Sequence, residues 1–297
     1  MSYRAGYVGL IGMPNAGKST LANAVVREKI SIVSRKAQTT RKRLLGVVSE
    51  ENFQMVLQDA PGVINTKHGI NNFIQDEYRD VVNGSDVICL VLNIDARTED
   101  EIQKILKIGL DSGKPLVAVI SKQDKGMIHR VEKMKYLLRE NNIPVREISA
   151  LKNPELSREK FIELVEEHLP SSPAPLFDPE YYTTSSVRQM VGEIIREKCF
   201  DYLHEEIPYG LAVRLQDYQE GEKIDRIYAD IMIEKEAHKQ IVIGKKGQSI
   251  KRISQESRLE IEELIGKKVY LETFVKVQED WTSSRRMRQE LGYVVQG

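Results

Sequence analysis

The chain has 297 residues, room for roughly two domains of ~150 residues each. Its 44 Lys and Arg balance 44 Asp and Glu, so the net charge is zero and any basic surface has to be local. Apolar residues at 41% and charged residues at 30% suit a soluble globular protein, and no apolar run approaches the ~18–20 residues of a membrane span. The N-terminal stretch Met1-Ser2-Tyr3-Arg4-Ala5-Gly6 leads straight into an apparent strand, which argues against a signal peptide. Cys89 and Cys199 read as buried small hydrophobes rather than as a disulfide, and the whole reads as cytoplasmic.

Strand-like runs are predicted at Tyr7–Ile11, Leu44–Val48, Phe53–Leu57, Val87–Asn93, Pro115–Ser121 and Val145–Ile148. Helix-like stretches lie between and after them, at Ser19–Val26, Asn71–Asn83, Glu99–Ser112, His129–Asn141 and Arg158–His168. This alternation predicts an α/β fold with a mostly parallel sheet covered by helices on both faces. Leu90-Val91-Leu92 and Leu116-Val117-Ala118-Val119-Ile120 lack polar alternation, as central strands buried on both faces should. Pro170–Glu180 then holds four prolines in eleven residues, which reads as a linker. Beyond it the order changes. A long amphipathic helix over Ser185–Glu206 is followed by strands at Leu211–Gln216 and Arg226–Ile233, a short helix, a glycine turn, a helix at Ser249–Ile265 and a strand at Lys268–Val277. That is an α+β domain with one sheet face covered. The expected division is 1–170, a linker at 171–185, and 186–297.

The stretch Gly12-Met13-Pro14-Asn15-Ala16-Gly17-Lys18-Ser19 fits G-x-x-x-x-G-K-[ST] and lies between a strand and a helix. Its glycines let the backbone curl so that successive N–H groups face phosphate oxygens, and the helix start adds a positive dipole end. Gly12, Asn15, Ala16, Gly17, Lys18, Ser19 and Thr20 are the phosphate candidates, with Lys18 also catalytic and Ser19 also a Mg²⁺ ligand. Gln38-Thr39-Thr40-Arg41 falls where a nucleotide-sensing loop would, and one threonine, Thr40 for preference, should complete the Mg²⁺ shell. Gln58-Asp59-Ala60-Pro61-Gly62 ends the third strand, so that Asp59 serves the Mg²⁺ shell and the Gly62 N–H senses a γ-phosphate.

Ser121-Lys122-Gln123-Asp124 ends the fifth strand and resembles the N-K-x-D element of GTPases. Asp124 would accept from the two guanine N–H donors, which disfavours adenine and an ATP-dependent enzyme. The Lys122 stem would cover the base. Ser149-Ala150 ends the sixth strand, where GTPases place a backbone contact to the guanine O6. All four elements sit at carboxyl ends of strands, where an open α/β sheet binds its ligand. Val63, where many GTPases carry a water-orienting glutamine, has neither donor nor acceptor, so slow hydrolysis is expected. Asn15 resembles the asparagine of GTPases that hold K⁺ beside the bridging oxygen, a cation able to offset developing charge.

In the second part, Gly244-Lys245-Lys246-Gly247 is a G-x-x-G turn, and from Lys239 to Arg252 there are five Lys/Arg and no acidic residue. Glycines admit a phosphodiester backbone and the lysines balance its charge, as in the KH clamp for about four nucleotides of single-stranded RNA. Lys239, Gly244, Lys245, Lys246, Gly247, Lys251 and Arg252 are the RNA candidates, with Ile241, Val242, Ile243, Ile250 and Ile253 as groove floor. Trp281 to Arg288 adds an aromatic and three arginines, either an extension of an RNA surface or a terminal helix with a packed Trp.

With GMPNAGKS, QTTRK, DAPG, SKQD and SA joined through "EIIREKCFDYLHEEIPYG" (Glu193–Gly210) to VIGKKGQSIK, the chain resembles the Era family along essentially its whole length. The resemblance implies a Ras-like GTPase domain and a type II KH domain. It also implies binding near the 3′ end of small-subunit ribosomal RNA, a role in 30S maturation and some peripheral inner-membrane association. A monomer with no DNA partner is expected. The family usually has Thr at Ala60, Asn at Ser121 and Val at Ala16. Ala60 and Ala16 are spacers, but Ser121 makes fewer hydrogen bonds than Asn, so weaker nucleotide affinity is expected. Two readings are carried forward: a GTP-hydrolysing switch, and an RNA-binding assembly factor whose nucleotide site is structural or nearly inactive.

Overall fold

The computed structural model describes residues 3–34, 36, 38–63, 70–95 and 99–293; Met1 and Ser2 of the N-terminal stretch lie outside it. The described chain forms two compact units, one of residues 3–33, 40–63 and 74–184, the other of residues within 34–39, 70–73 and 185–293.

In the first unit, β1 (Arg4–Ile11) leads into α1 (Lys18–Val26), then β2 (Leu44–Ser49) and β3 (Phe53–Asp59). There follow α2 (Ile70–Gly84, its first turn grouped with the second unit), β4 (Val87–Asn93), α3 (Glu99–Asp111), β5 (Leu116–Ser121), α4 (Ile128–Glu140), β6 (Val145–Glu147) and α5 (Pro154–Val165). Among the described residues the sheet order is β2-β3-β1-β4-β5-β6, with β2 antiparallel to β3 and the other pairs parallel. The α/β fold with a mostly parallel sheet is thus as expected. Side chains alternate across a strand, and β4 shows the result. Val87, Cys89 and Val91 pack on one face with Leu21, Val25 and Phe161 of α1 and α5. Ile88, Leu90 and Leu92 pack on the other with Ile105, Val131 and Leu138 of α3 and α4. Each such buried side chain contributes about 1.5–3 kcal/mol, so the central strands form a stiff platform whose carboxyl ends carry the loops.

The proline-rich stretch is not a free tether. It and the residues just after it pair with strands of the same unit: Ala5 N–H donates to Pro170 O (3.1 Å), and Val47 N–H to Tyr182 O (2.9 Å). The buried Gln54 side chain accepts from Leu176 and Phe177 N–H (2.7 and 2.9 Å) and donates to Phe177 O (2.9 Å). Proline lacks an N–H but keeps its carbonyl, so such a segment still satisfies an exposed strand edge.

The second unit holds α6 (Val187–Tyr202), β7 (Leu211–Gln219), β8 (Ile224–Ile233), α7 (Glu236–Ile243), α8 (Gln248–Ile265), β9 (Lys268–Val277) and α9 (Arg285–Glu290). Ser186 caps α6 in a reciprocal box with Gln189. The helix stops at Tyr202, short of the expected Glu206, and Ile207–Gly210 forms a 3₁₀ turn around Pro208. Sheet order is β7-β8-β9, β7–β8 antiparallel and β8–β9 parallel. Ile227, Ala229 and Ile231 of β8 meet Ile195 and Cys199 of α6 and Ile253 and Ile261 of α8 in one core. Cys89 and Cys199 are buried free thiols, and burial pushes the Cys199 thiol up to about 12.

Candidate functional site

The phosphate loop joins β1 to α1. At Gly12 a Cβ would lie 2.5 Å from the Val91 carbonyl oxygen, so only glycine lets the loop leave the sheet there. Asn15 and Gly17 both take left-handed backbone (φ 60° and 95°), and Gly17 caps α1. Lys18 is 5% exposed, and its ammonium donates to Gly12 O (3.2 Å) and Met13 O (3.0 Å). Burial lowers its pKa to about 8, while Asp59 pulls in the other direction. Thr20 sits half-buried on the first turn of α1.

Asp59 is fully buried at the end of β3, and both carboxylate oxygens lack a hydrogen-bond partner among the described residues. Burial raises its pKa, against the nearby Ser19 hydroxyl, Lys18 charge and Ser31 hydroxyl. A buried carboxylate in that state is costly unless a cation completes it. The Ser19 and Thr40 hydroxyls lie 3.0 Å apart. Two hydroxyls and a carboxylate are hard oxygen donors, the chemistry of a Mg²⁺ site with phosphates and water completing the shell. Thr39 differs, its hydroxyl donating to Lys36 O (3.5 Å), so Thr40 is the threonine beside Ser19. At Gly62 a Cβ would meet Pro14 Cα at 2.7 Å, and Val63 N–H donates to Gly12 O (3.4 Å). The Val63 side chain packs against the apolar cluster under α3 and α4. Ala60 is fully buried beneath the loop.

At the other end, the Ser121 hydroxyl contacts Ala16 O (2.6 Å) and Leu92 O (3.2 Å). Lys122 takes left-handed backbone (φ 62°), and burial lowers its pKa against the pull of Asp95. The Ser149 hydroxyl donates to Asp124 Oδ1 and holds that carboxyl below its ordinary range, so Asp124 is charged at neutral pH. Ser149 N–H donates to Ser157 Oγ (3.2 Å), and Ala150 packs on the core. The candidates of the first unit are thus gathered at the carboxyl ends of β1, β3, β5 and β6, with Thr40 on the stretch that leads into β2. Two neighbours escaped the sequence reading. Asn93 Nδ2 donates to Asn15 O (3.4 Å), and Asp95 lies 3.7 Å from Lys122 Nζ and pairs with Lys125. Their signal was present, since Asn93 ends β4 and Asp95 follows two residues later.

In the second unit, Gly244 (φ 75°) turns the chain between α7 and α8. A Cβ there would meet Ser249 Cβ at 2.6 Å. Gly247 (φ 75°) has open space around it, and Lys245, Lys246 and Lys251 are exposed. The expected basic stretch is weaker than its composition. Lys239 pairs with Glu236 (3.6 Å), and Arg252 lies over the Tyr202 ring (4.4 Å) and 3.4 Å from Glu256. Both acids stand just outside the acid-free window. Val242 and Ile253 are fully buried in the core rather than lining a groove, whereas Ile241 is 54% exposed. Trp281 is fully buried, its Nε1–H donating to Gly210 O (2.9 Å) and its ring 5.7 Å from Tyr293. It is a packed tryptophan, and stacking on RNA through it is excluded in this conformation.

Residues 7–122 match the family described as 50S ribosome-binding GTPase, and residues 206–282 match the KH domain. GTPase Era of Trichlorobacter lovleyi is 41% identical over 298 residues, covering 98% of each chain, and that of Alkaliphilus metalliredigens is 36% identical, covering 99% of this chain and all of the other. Among solved structures, Era in complex with MgGDPNP and nucleotides 1506–1542 of 16S ribosomal RNA superposes with TM-score 0.92 at 32% identity, over 99% of this chain and all of that one. An Aquifex aeolicus Era variant bound to GDP·AlF₄⁻ superposes with TM-score 0.91 at 31% identity, over 98% and 100%. Near-complete coverage in both directions, with phosphate loop, base loop and glycine turn each in place, gives one conclusion: the chain belongs to the GTPase Era family.

Proposed function

We propose that this GTPase is a nucleotide-controlled RNA binder that holds the 3′ region of small-subunit ribosomal RNA and assists maturation of the 30S subunit. The observation that carries the nucleotide half is the buried, unpartnered Asp59 carboxylate beside Lys18 and the Ser19–Thr40 pair. GTP with Mg²⁺ supplies the phosphoanhydride to be cleaved. In this reading Lys18 turns from its own carbonyls to the outer phosphates, Ser19, Thr40 and Asp59 hold Mg²⁺, and the Gly62 N–H faces the γ-phosphate. Asp124 accepts from guanine while Ser149 keeps it ionised and aimed. Lys122 covers the base, and the Ser149–Ala150 backbone meets the base edge. Val63 orients no water, so turnover is slow, and Asn15 would hold a K⁺ that could offset charge on the bridging oxygen.

The RNA half rests on the Gly244–Gly247 turn with its exposed lysines, and on the Era relative crystallised with a 16S fragment. Residues 1–170 would act as the GTPase domain, 171–185 as the join and 186–297 as a type II KH domain. No helix among the described residues is long and apolar enough to cross a membrane. The chain is read as a cytoplasmic monomer touching the inner membrane at most peripherally.

The test is nucleotide binding by Asp124→Asn, which replaces one acceptor oxygen with a donor. Loss of GDP affinity with gain of affinity for xanthosine diphosphate supports guanine reading by Asp124. Unchanged GDP affinity removes it. A wild-type chain that binds GDP but releases no phosphate from GTP would leave the assembly factor with a structural nucleotide site.

A further inference from the structure

Asn23 stands one turn beyond Ser19 on the same face of α1. An amide side chain offers an acceptor oxygen and two N–H donors, enough to stand in for a strand partner. Asn23 plays that part for the chain that follows the helix. Its Oδ1 accepts from Ile30 N–H (3.0 Å) and Ser31 N–H (2.9 Å), and its Nδ2 donates to Ser31 O (2.8 Å). The Ile30 side chain is buried against Gly46 of β2, which pairs with Leu57, two residues before Asp59. Residues 30 and 31 are thus pinned by α1 on one side and by the sheet on the other, all within the first unit.

Ser31 is 2% exposed, and its hydroxyl has no hydrogen-bond partner among the described residues. The same holds for both oxygens of the buried Asp59. Burial pushes the Asp59 carboxyl up, and the Ser31 hydroxyl is near enough to oppose that push. A buried hydroxyl and a buried carboxylate each cost free energy until they find partners. A carboxylate that serves a metal through one oxygen is commonly steadied by a hydrogen bond to the other. We infer that Ser31 is a positioning residue for the GTPase reaction: its hydroxyl donates to one Asp59 oxygen and so presents the other to the Mg²⁺ of the bound nucleotide. Asn23 sets that hydroxyl in place by holding the Ser31 backbone. The inference rests on the reading of Asp59 as part of the Mg²⁺ shell. A group that acts only through Asp59 and Mg²⁺ should leave metal-free nucleotide binding alone.

The test titrates Mg²⁺ into the full chain loaded with GDP, and measures GDP affinity in EDTA alongside. Ser31→Ala is expected to weaken Mg²⁺ about fivefold, the size of one hydrogen bond, and to change GDP affinity in EDTA less than twofold. In an Asp59→Asn background Ser31→Ala should add nothing, because the two act as one unit. Unchanged Mg²⁺ affinity in Ser31→Ala, an equal loss of GDP affinity in EDTA, or a further loss on top of Asp59→Asn would overturn the inference. If Asp59→Asn alone leaves Mg²⁺ affinity unchanged, the reading of Asp59 falls and the inference with it. Should thermal melting show that Ser31→Ala does not fold, Ser31→Cys, with a much weaker donor, is titrated in its place. It should give the same selective Mg²⁺ loss, and no loss would overturn the inference.

Discussion

The hydroxyl of Ser121 lies 2.6 Å from the carbonyl oxygen of Ala16 and 3.2 Å from that of Leu92. A hydroxyl has one proton, so it donates to only one of the two at a time. The base-binding strand end is tied to the phosphate loop by that single bond, whereas a carboxamide carries two N–H donors and could serve both carbonyls. Ser121→Asn should therefore tighten GDP binding by ~1 kcal/mol, roughly fivefold. Calorimetric titration of GDP checks this, and unchanged affinity would show that the serine already supplies all the restraint the loops need.

Nucleotide affinity should fall above pH 8. Burial lowers the Lys18 pKa to about 8, and contact with phosphate would restore the charged form and raise it. Below pH 8 the ligand-free ammonium is already protonated and affinity is level. Between that value and the higher pKa of the bound state, binding must take up a proton and weakens by up to tenfold per pH unit. In the ligand-free protein the same group opposes folding below pH 8, and that penalty is relieved as pH rises from 8 toward the unfolded value near 10.5. From pH 7 to 9 the Kd for GDP should rise about tenfold, and a flat profile would place the Lys18 pKa elsewhere.

Replacing Na⁺ by K⁺ at constant ionic strength should raise the GTP hydrolysis rate, and Asn15→Ala should abolish the difference. The carbonyl of Asn15 already accepts from Asn93, so the loop shape survives loss of the side chain. Equal rates in both salts would remove the cation from the account.

Trp281→Phe should lower stability without lowering RNA affinity. The indole is fully buried and its N–H donates to Gly210 O, so the change removes that bond and opens a void, costing about 1–3 kcal/mol in urea denaturation. A selective loss of RNA binding at unchanged stability would restore a surface role for the ring.

Much of this architecture was legible along the chain because local pattern and tertiary burial agreed. The runs Val87–Asn93 and Lys268–Val277 are strands with the expected bounds, and the phosphate, Asp59, Asp124 and Ser149 loops leave the sheet where strand periodicity stops. Boundaries failed where a residue has two uses. Helix α5 begins at Pro154, not Arg158, because proline suits the first turn of a helix as well as it breaks one. The proline-rich stretch read as a tether, yet Gln54 and β2 pair with its backbone, and pairing over more than 100 residues leaves no local trace. The same limit hid the acids Glu236 and Glu256 that quench Lys239 and Arg252. Side-chain partners are set by the fold, while a turn such as Gly244–Gly247 announces itself through backbone need.

The most direct test of the account is the affinity of the full chain for a single-stranded fragment of the small-subunit rRNA 3′ end. It should be measured at one fixed salt concentration, with GDP and then with a non-hydrolysable GTP analogue, because phosphate contacts make any such affinity salt-dependent. Gly247→Asp, which puts a carboxylate into the open space at the turn, is the control. The account predicts tighter RNA binding with the analogue, lost in Gly247→Asp. Equal binding in both nucleotide states would contradict a nucleotide-controlled RNA clamp.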